Sequence, residues 1–340
     1  MCLCLDHAEV DFYAIVSDSG EEKSFRGILD ALQPCGQAFG RWDVPPSNIN
    51  GPAPKVEIVN MYDILPEFFR GDNVTRESTS YILDTYGKFA YQSIKKLASA
   101  MHFEYDHALW LDSEAIAVRP FRLRQTFDTH IKAPAVFRSR MRNTDFMGEI
   151  MNNSAKVLGR SIDSFGPLLW TLESVQWIIE RDVLRDMVRY VEAAHGRDFW
   201  SVWTENHGPF EINLYNLHIV ARKLETVSSV FSKYAVLETE REMIRFGIAP
   251  AFPEMEFQKG TGFLERGYNL LRRPEIQPNF SAFLRRYGQR LFRLDDLTVA
   301  PPETVTRFIL DTPLDLLVCG APPLHGWWRH GQDASPPGVV

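Results

Sequence analysis

Residues 105–121 read YDHALWLDSEAIAVRPF. The run has the apolar character of a buried strand, yet Asp112 and Glu114 interrupt it. A carboxylate among Ala, Leu, Trp, Ile and Val is costly unless something pairs with it. On an extended strand, residues two apart point to the same side, so the spacing predicts that Asp112 and Glu114 converge. In an open parallel sheet, ligands bind just outside the carboxyl ends of the strands. The pair lies late in its run, where such an end is expected. Two converging carboxylates there suit a hard divalent cation, Mn²⁺ or Mg²⁺, which keeps positions open for phosphate oxygens. The plainer alternative is a strand-end pair bonded to turn amides or to Arg119.

The elements around this run predict an α/β fold. Upstream, DFYAIVSDSG (11–20) reads as a strand ending in a turn, and EEKSFRGILDAL (21–32) as an amphipathic helix. A Pro-, Gly- and Asn-rich loop precedes a second strand, KVEIVNMYDIL (55–65). A long helix follows over 78–103, with Ala90, Ile94, Leu97, Ala98 and Met101 on one face. Strand, helix, strand, helix, strand is the order of a Rossmann-like, mostly parallel sheet flanked by helices. The rest reads as more helical. SVQWIIE (174–180) is a strand candidate, and the helix after it has Asp182 as expected N-cap and Gly196 as C-terminal stop. Pro209 stands near another helix start. The expected division is a catalytic domain over 1–235, an extension packed on it over 236–330, and a disordered tail over 331–340.

Composition narrows the function. The chain has 340 residues, 45% of them hydrophobic, and a formal net charge of −7. That charge argues against nucleic acid or an anionic membrane as the main partner. No apolar run reaches the ~18 residues of a spanning helix, so no transmembrane segment and a cytoplasmic location are expected. Cys2, Cys4, Cys35 and Cys319 lack zinc-site spacing and read as free thiols.

The segment FEYDHALWLDSEAIAVRPF (103–121) resembles the metal-binding strand of GT-A-fold glycosyltransferases, with Asp-Ser-Glu in place of Asp-x-Asp. The helix before it, YGKFAYQSIKKLASAMHF (86–103), is similar to the one leading into that strand, with Gln92 and Lys96 at the matching spacing. PFEINLYNLHI (209–219) resembles an acidic, aromatic segment on the acceptor side, matching Glu211 and Tyr215.

The resemblance implies that a cation bridges Asp112, Glu114 and the diphosphate of a UDP- or GDP-type sugar. The nucleotide would contact Val16, Ser17 and Asp18, with Asp63 near base or ribose and Ser113 within the donor site. Lys96 would meet a phosphate or an acidic partner, and Glu211 would act as base for an acceptor hydroxyl or orient it. His325, in PPLHGWWRHG, is the candidate for a late histidine in the metal shell, with His330 nearby. The implied activity is sugar transfer to a glycan or small-molecule acceptor.

The plainer readings are turn capping for Asp18 and Asp63, a solvated lysine for Lys96, helix-start stabilisation for Glu211 and surface packing for Trp327 and Trp328. His207, on a Gly-Pro loop, is a further candidate. Two other functions compete: an inactive nucleotide- or sugar-binding relative, and an Asp-x-Asp phosphohydrolase.

Overall fold

The computed structural model describes residues 5–6, 10–30, 56–112, 115–117, 121–139, 145–167, 171, 176–225, 229–248, 274–293 and 311–318. The elements begin β1 (Leu5–Asp6), β2 (Phe12–Val16), α1 (Ser19–Asp30), β3 (Val56–Asn60), α2 (Met61–Ile64) and α3 (Ser80–His102). Next come β4 (His107–Trp110), β5 (Ala115–Ala117), β6 (Phe121–Arg122), α4 (Leu123–Lys132), β7 (Ala135–Arg138) and α5 (Asp145–Val157). Then follow β8 (Trp177–Glu180), α6 (Arg181–His195), α7 (Phe199–Glu205), α8 (Glu211–Leu224) and α9 (Ser229–Ser232). The last are β9 (Ala235–Glu238), α10 (Thr239–Arg245), α11 (Gln277–Arg286), β10 (Leu291–Arg293) and β11 (Leu316–Val318).

The α/β character is as expected, but the strands form small mixed sheets. β2 pairs with β3 in parallel, Val16 standing beside Asn60. β7 pairs with β9 in parallel, Arg138 beside Glu238. β4 and β8 are antiparallel, with His107 opposite Glu180 and Trp110 opposite Trp177.

The run expected as one strand over 107–118 is two. The amide of Ala115 donates to the carbonyl of Asp112 at 3.0 Å, closing a turn that takes the chain out of the ladder after Trp110. β5 then pairs antiparallel with β11, whose other neighbour is β10. Asp112 therefore follows its strand rather than lying in it, and strand alternation does not govern where its side chain points. Glu114 and Ser113 lie outside the described residues.

Helix α3 carries the buried face its sequence predicts, with Ile94 and Leu97 fully buried. Gly87 breaks the helical backbone at φ 80°, a conformation that costs glycine little. Asp182 does not cap α6; Glu180 takes the N-cap position and Asp182 lies in the first turn, while Gly196 ends the helix in the left-handed region at φ 65°. Phe210 is the N-cap of α8, so Glu211 is its first residue. Around α8 pack α3, α5 and α6, and α8 supplies much of the core through Ile212, Leu214, Leu217 and Ile219. Among the described residues no helix is long and apolar enough to cross a membrane.

Candidate functional site

Three elements converge beyond the Trp110 end of β4. β4 delivers Asp112 through Leu111, α8 contributes its first side chain, Glu211, and α3 contributes Ser93 and Lys96. Those two residues are three apart and so share a helix face.

Lys96 Nζ lies 3.0 Å from Glu211 Oε1 and 3.1 Å from Asp112 Oδ1. The ammonium also sits 4.2 Å from the ring centroid of Trp177, a cation–π contact. Glu211 Oε2 accepts a hydrogen bond from Ser93 Oγ at 2.5 Å. Three groups thus offset the burial of Glu211, which is 0% exposed: an ammonium, a hydroxyl and the positive end of α8. Burial disfavours the charged form of Lys96, but Glu211 and then Asp112 outweigh it and hold its pKa above the ordinary lysine value. The reading of Lys96 as a solvated lysine is therefore corrected: its side chain turns toward the strand end and is 19% exposed. Asp112, at 24%, is the most open member of the group.

The neighbouring lysine serves a second strand end. Lys95 Nζ donates to Ser17 Oγ at 2.9 Å and lies 3.9 Å from Glu21. Burial depresses its pKa, against opposing pulls from Glu21 and Asp18. Ser17 follows β2, whose last residue, Val16, is buried. The Ser17 carbonyl accepts from Thr79 Oγ1 at 2.8 Å, and its amide donates to Glu21 Oε2 at 2.5 Å. Asp18 Oδ1 accepts the Glu21 amide at 2.8 Å, which makes Asp18 the cap of α1. Asp63 ion-pairs with Arg76, which also reaches Glu22 at 3.2 Å. Turn capping thus describes Asp18 as it stands, whereas Asp63, for which a turn cap was the plainer reading, lies in α2 and ion-pairs with Arg76; both stand near the ends of β2 and β3, where a nucleotide was expected.

Several predicted residues fall elsewhere. Tyr215 is buried at the far end of β8, where its hydroxyl accepts from the amide of Glu180 at 2.9 Å. His207 is exposed in a turn with φ 57°, and Gln92 is exposed on α3. His325, His330, Trp327, Trp328, Arg119 and the four cysteines lie outside the described residues. Sequence reasoning missed Ser93, Lys95 and Trp177. The Ser93–Lys96 spacing was a usable signal for the first, whereas the partners of Lys95 and Trp177 are set only by tertiary packing.

A divalent cation has one described carboxylate here, Asp112. Lys96 engages its Oδ1, and among the described residues nothing engages Oδ2. An oxygen donor at a half-open strand end fits a hard cation that completes its shell with water and phosphate. Among the described residues no cluster of three or more His, Cys, Asp or Glu side chains is placed to hold a metal; Glu114 and His325 fall outside that set.

A family model described as a family of unknown function, DUF6492, matches residues 49–245. The match spans β3 to α10, takes in Lys96, Asp112 and Glu211, and covers more than half of the 340 residues. The chain belongs to that family. No curated protein matches it.

Proposed function

We propose that this protein is a metal-dependent glycosyltransferase of GT-A-like arrangement. It would move a sugar from a UDP- or GDP-type sugar to a hydroxyl of a glycan or small-molecule acceptor. The observation that carries the reading is the Lys96 ammonium, drawn into the protein by Glu211 and presented beside Asp112 at the end of β4. A fixed cation at a strand end is what a departing diphosphate needs.

In this reading Glu211 and Ser93 fix the Lys96 side chain, and Trp177 supports it from below. The ammonium then meets the donor's phosphate oxygens already oriented, without reorganisation as charge develops. Asp112 Oδ2, with Glu114 as the expected second ligand, would hold Mn²⁺ or Mg²⁺. When bound, that ion neutralises charge on the leaving diphosphate. The nucleoside would lie along the ends of β2 and β3, over Ser17, with Asp18 and Asp63 as edge groups once Arg76 yields. Glu211 is assigned to positioning: a carboxylate with no exposed surface, bonded to Lys96 and Ser93, does not meet an acceptor hydroxyl in this conformation. The reaction belongs, on this reading, to the cytoplasm, which cell fractionation checks.

The test is a thermal-shift panel of nucleotides with Mn²⁺ or Mg²⁺, joined to an assay for free sugar released from nucleotide sugars. Metal-dependent stabilisation by UDP or GDP, with slow hydrolysis lost in Asp112→Ala and Lys96→Met, is the expected result. Stabilisation without hydrolysis would favour the inactive binding relative. Absence of any nucleotide response would sink the reading.

A further inference from the structure

Arg138, the last residue of β7, is a buried cation with no anionic partner among the described residues. It is 7% exposed. One terminal nitrogen donates to the carbonyl of Phe165 at 2.7 Å. Its Nε, also buried, has no partner among the described residues. Glu238 stands beside it in register on β9 but forms no ion pair with it, and no other described carboxylate does. Burial alone acts on its pKa, downward, with no carboxylate opposing.

Three other partly buried cations are each paired with a carboxylate. Lys96 has two carboxylates, Arg222 has Asp186 and Glu225, and Arg160 has Glu225. A guanidinium does not escape burial by losing its proton, as a lysine would. An isolated interior charge is among the most costly arrangements a fold tolerates. Holding the Phe165 carbonyl does not account for it, since any neutral donor satisfies a carbonyl.

The position of Arg138 supplies the second clue. The ring of His130, at the end of α4, lies 6.4 Å from that of His107 at the start of β4. Tyr234, just before β9, hydrogen-bonds Glu180, which stands opposite His107. The start of β4 therefore lies near the segments that lead into β7 and β9, and Arg138 closes β7 at its other end.

We propose that Arg138 is the binding residue of a buried oxyanion subsite, for a phosphate or carboxylate group, at the C-terminal end of β7. Nε and a terminal nitrogen offer two parallel donors, the fork that matches both anions. The proposal stands whether or not a sugar is transferred.

The experiment is thermal unfolding of the full chain, at constant ionic strength, in chloride, inorganic phosphate, diphosphate and citrate. The wild type should gain at least about 3 °C with one of these anions over chloride. Arg138→Met should unfold no lower than wild type in chloride, because an unpaired charge is replaced by an apolar side chain of similar length, and should lose the gain. Arg138→Lys, which keeps charge but not the fork, should retain less than half of it.

No gain in the wild type would overturn the proposal, as would a full gain in Arg138→Lys. A drop of several degrees for Arg138→Met in chloride with its anion gain intact would do the same, marking a structural role. UDP and GDP then separate the sources: a nucleotide gain lost in Arg138→Met assigns the anion to the donor diphosphate, and one retained assigns it to the other substrate. A response to free phosphate with none to any nucleotide would sink the transferase reading and leave this subsite standing.

Discussion

The two ends of the β4–β8 ribbon carry polar clusters of opposite design. At the Trp110–Trp177 end, Lys96 joins Glu211 to Asp112, and the cluster opens to solvent through Asp112. At the His107–Glu180 end, Glu180 accepts from the Tyr234 hydroxyl at 2.9 Å and pairs with Lys233 at 2.7 Å. Its backbone amide meets the Tyr215 hydroxyl. Burial raises the pKa of Tyr105, Tyr215 and Tyr234 and lowers that of His107 and His130. One end opens its charged groups to solvent through Asp112; the other surrounds the Glu180–Lys233 pair with tyrosines and histidines whose ionisation burial opposes. Strand pairing alone makes no such distinction, so the partners brought by α3, α8 and the segment before β9 decide it.

The largest effect is expected from Glu211→Ala. It removes the carboxylate that draws Lys96 inward, and unfolding in urea should show a loss of about 3 kcal/mol. A loss below about 1 kcal/mol would mean that Lys96 finds equal compensation elsewhere.

Acid should strike the opposite end. The folded pKa of His130 is pushed down to about 4 from 6.5, first by burial and then by His107 and Lys233. A depressed histidine binds its proton less readily when folded, so stability is complete above the unfolded value and falls as pH drops through the window from about 6.5 to about 4. Denaturation at pH 7.5 and about 4.5 should differ by about 2 kcal/mol from this group. A His130→Gln variant should flatten that slope, and an unchanged slope would break the contrast.

Tyr234→Phe should cost about 1 kcal/mol through the lost bond to Glu180, with no effect on any nucleotide response. The smallest effect on stability is expected for Asp112→Asn, within about 0.5 kcal/mol, because its pair with Lys96 is partly solvated. The same variant should abolish metal-dependent stabilisation by UDP or GDP. Together these two variants separate a cluster kept for folding from one kept for a ligand.

What the sequence made legible follows from local rules. The apolar face of α3, the strand at 177–180, the Gly196 stop and the cap at Asp18 all depend on neighbours within a few residues. The break after Trp110 was hidden because Leu111 and Asp112 stand in an apolar run with no Gly or Pro to mark a turn. The pairing of β5 with β11 joins residues about two hundred positions apart, beyond any local pattern. At the site, Asp112 was found as a carboxylate out of place. The partners of Lys96 depended on the geometry of α3 against α8, and its neighbours gave it only a solvated look. Arg138 carried no signal at all, since an arginine ending an apolar strand reads as an ordinary surface residue.

Lys95 and Lys96 are consecutive on one helix, yet one reaches Ser17 beyond β2 and the other Asp112 beyond β4. A rigid turn of α3 therefore acts as a gauge, setting the spacing between two strand termini that no ladder in the described residues joins directly. Sliding that helix by a single residue would swing both amines through about 100° and uncouple both anchorages at once.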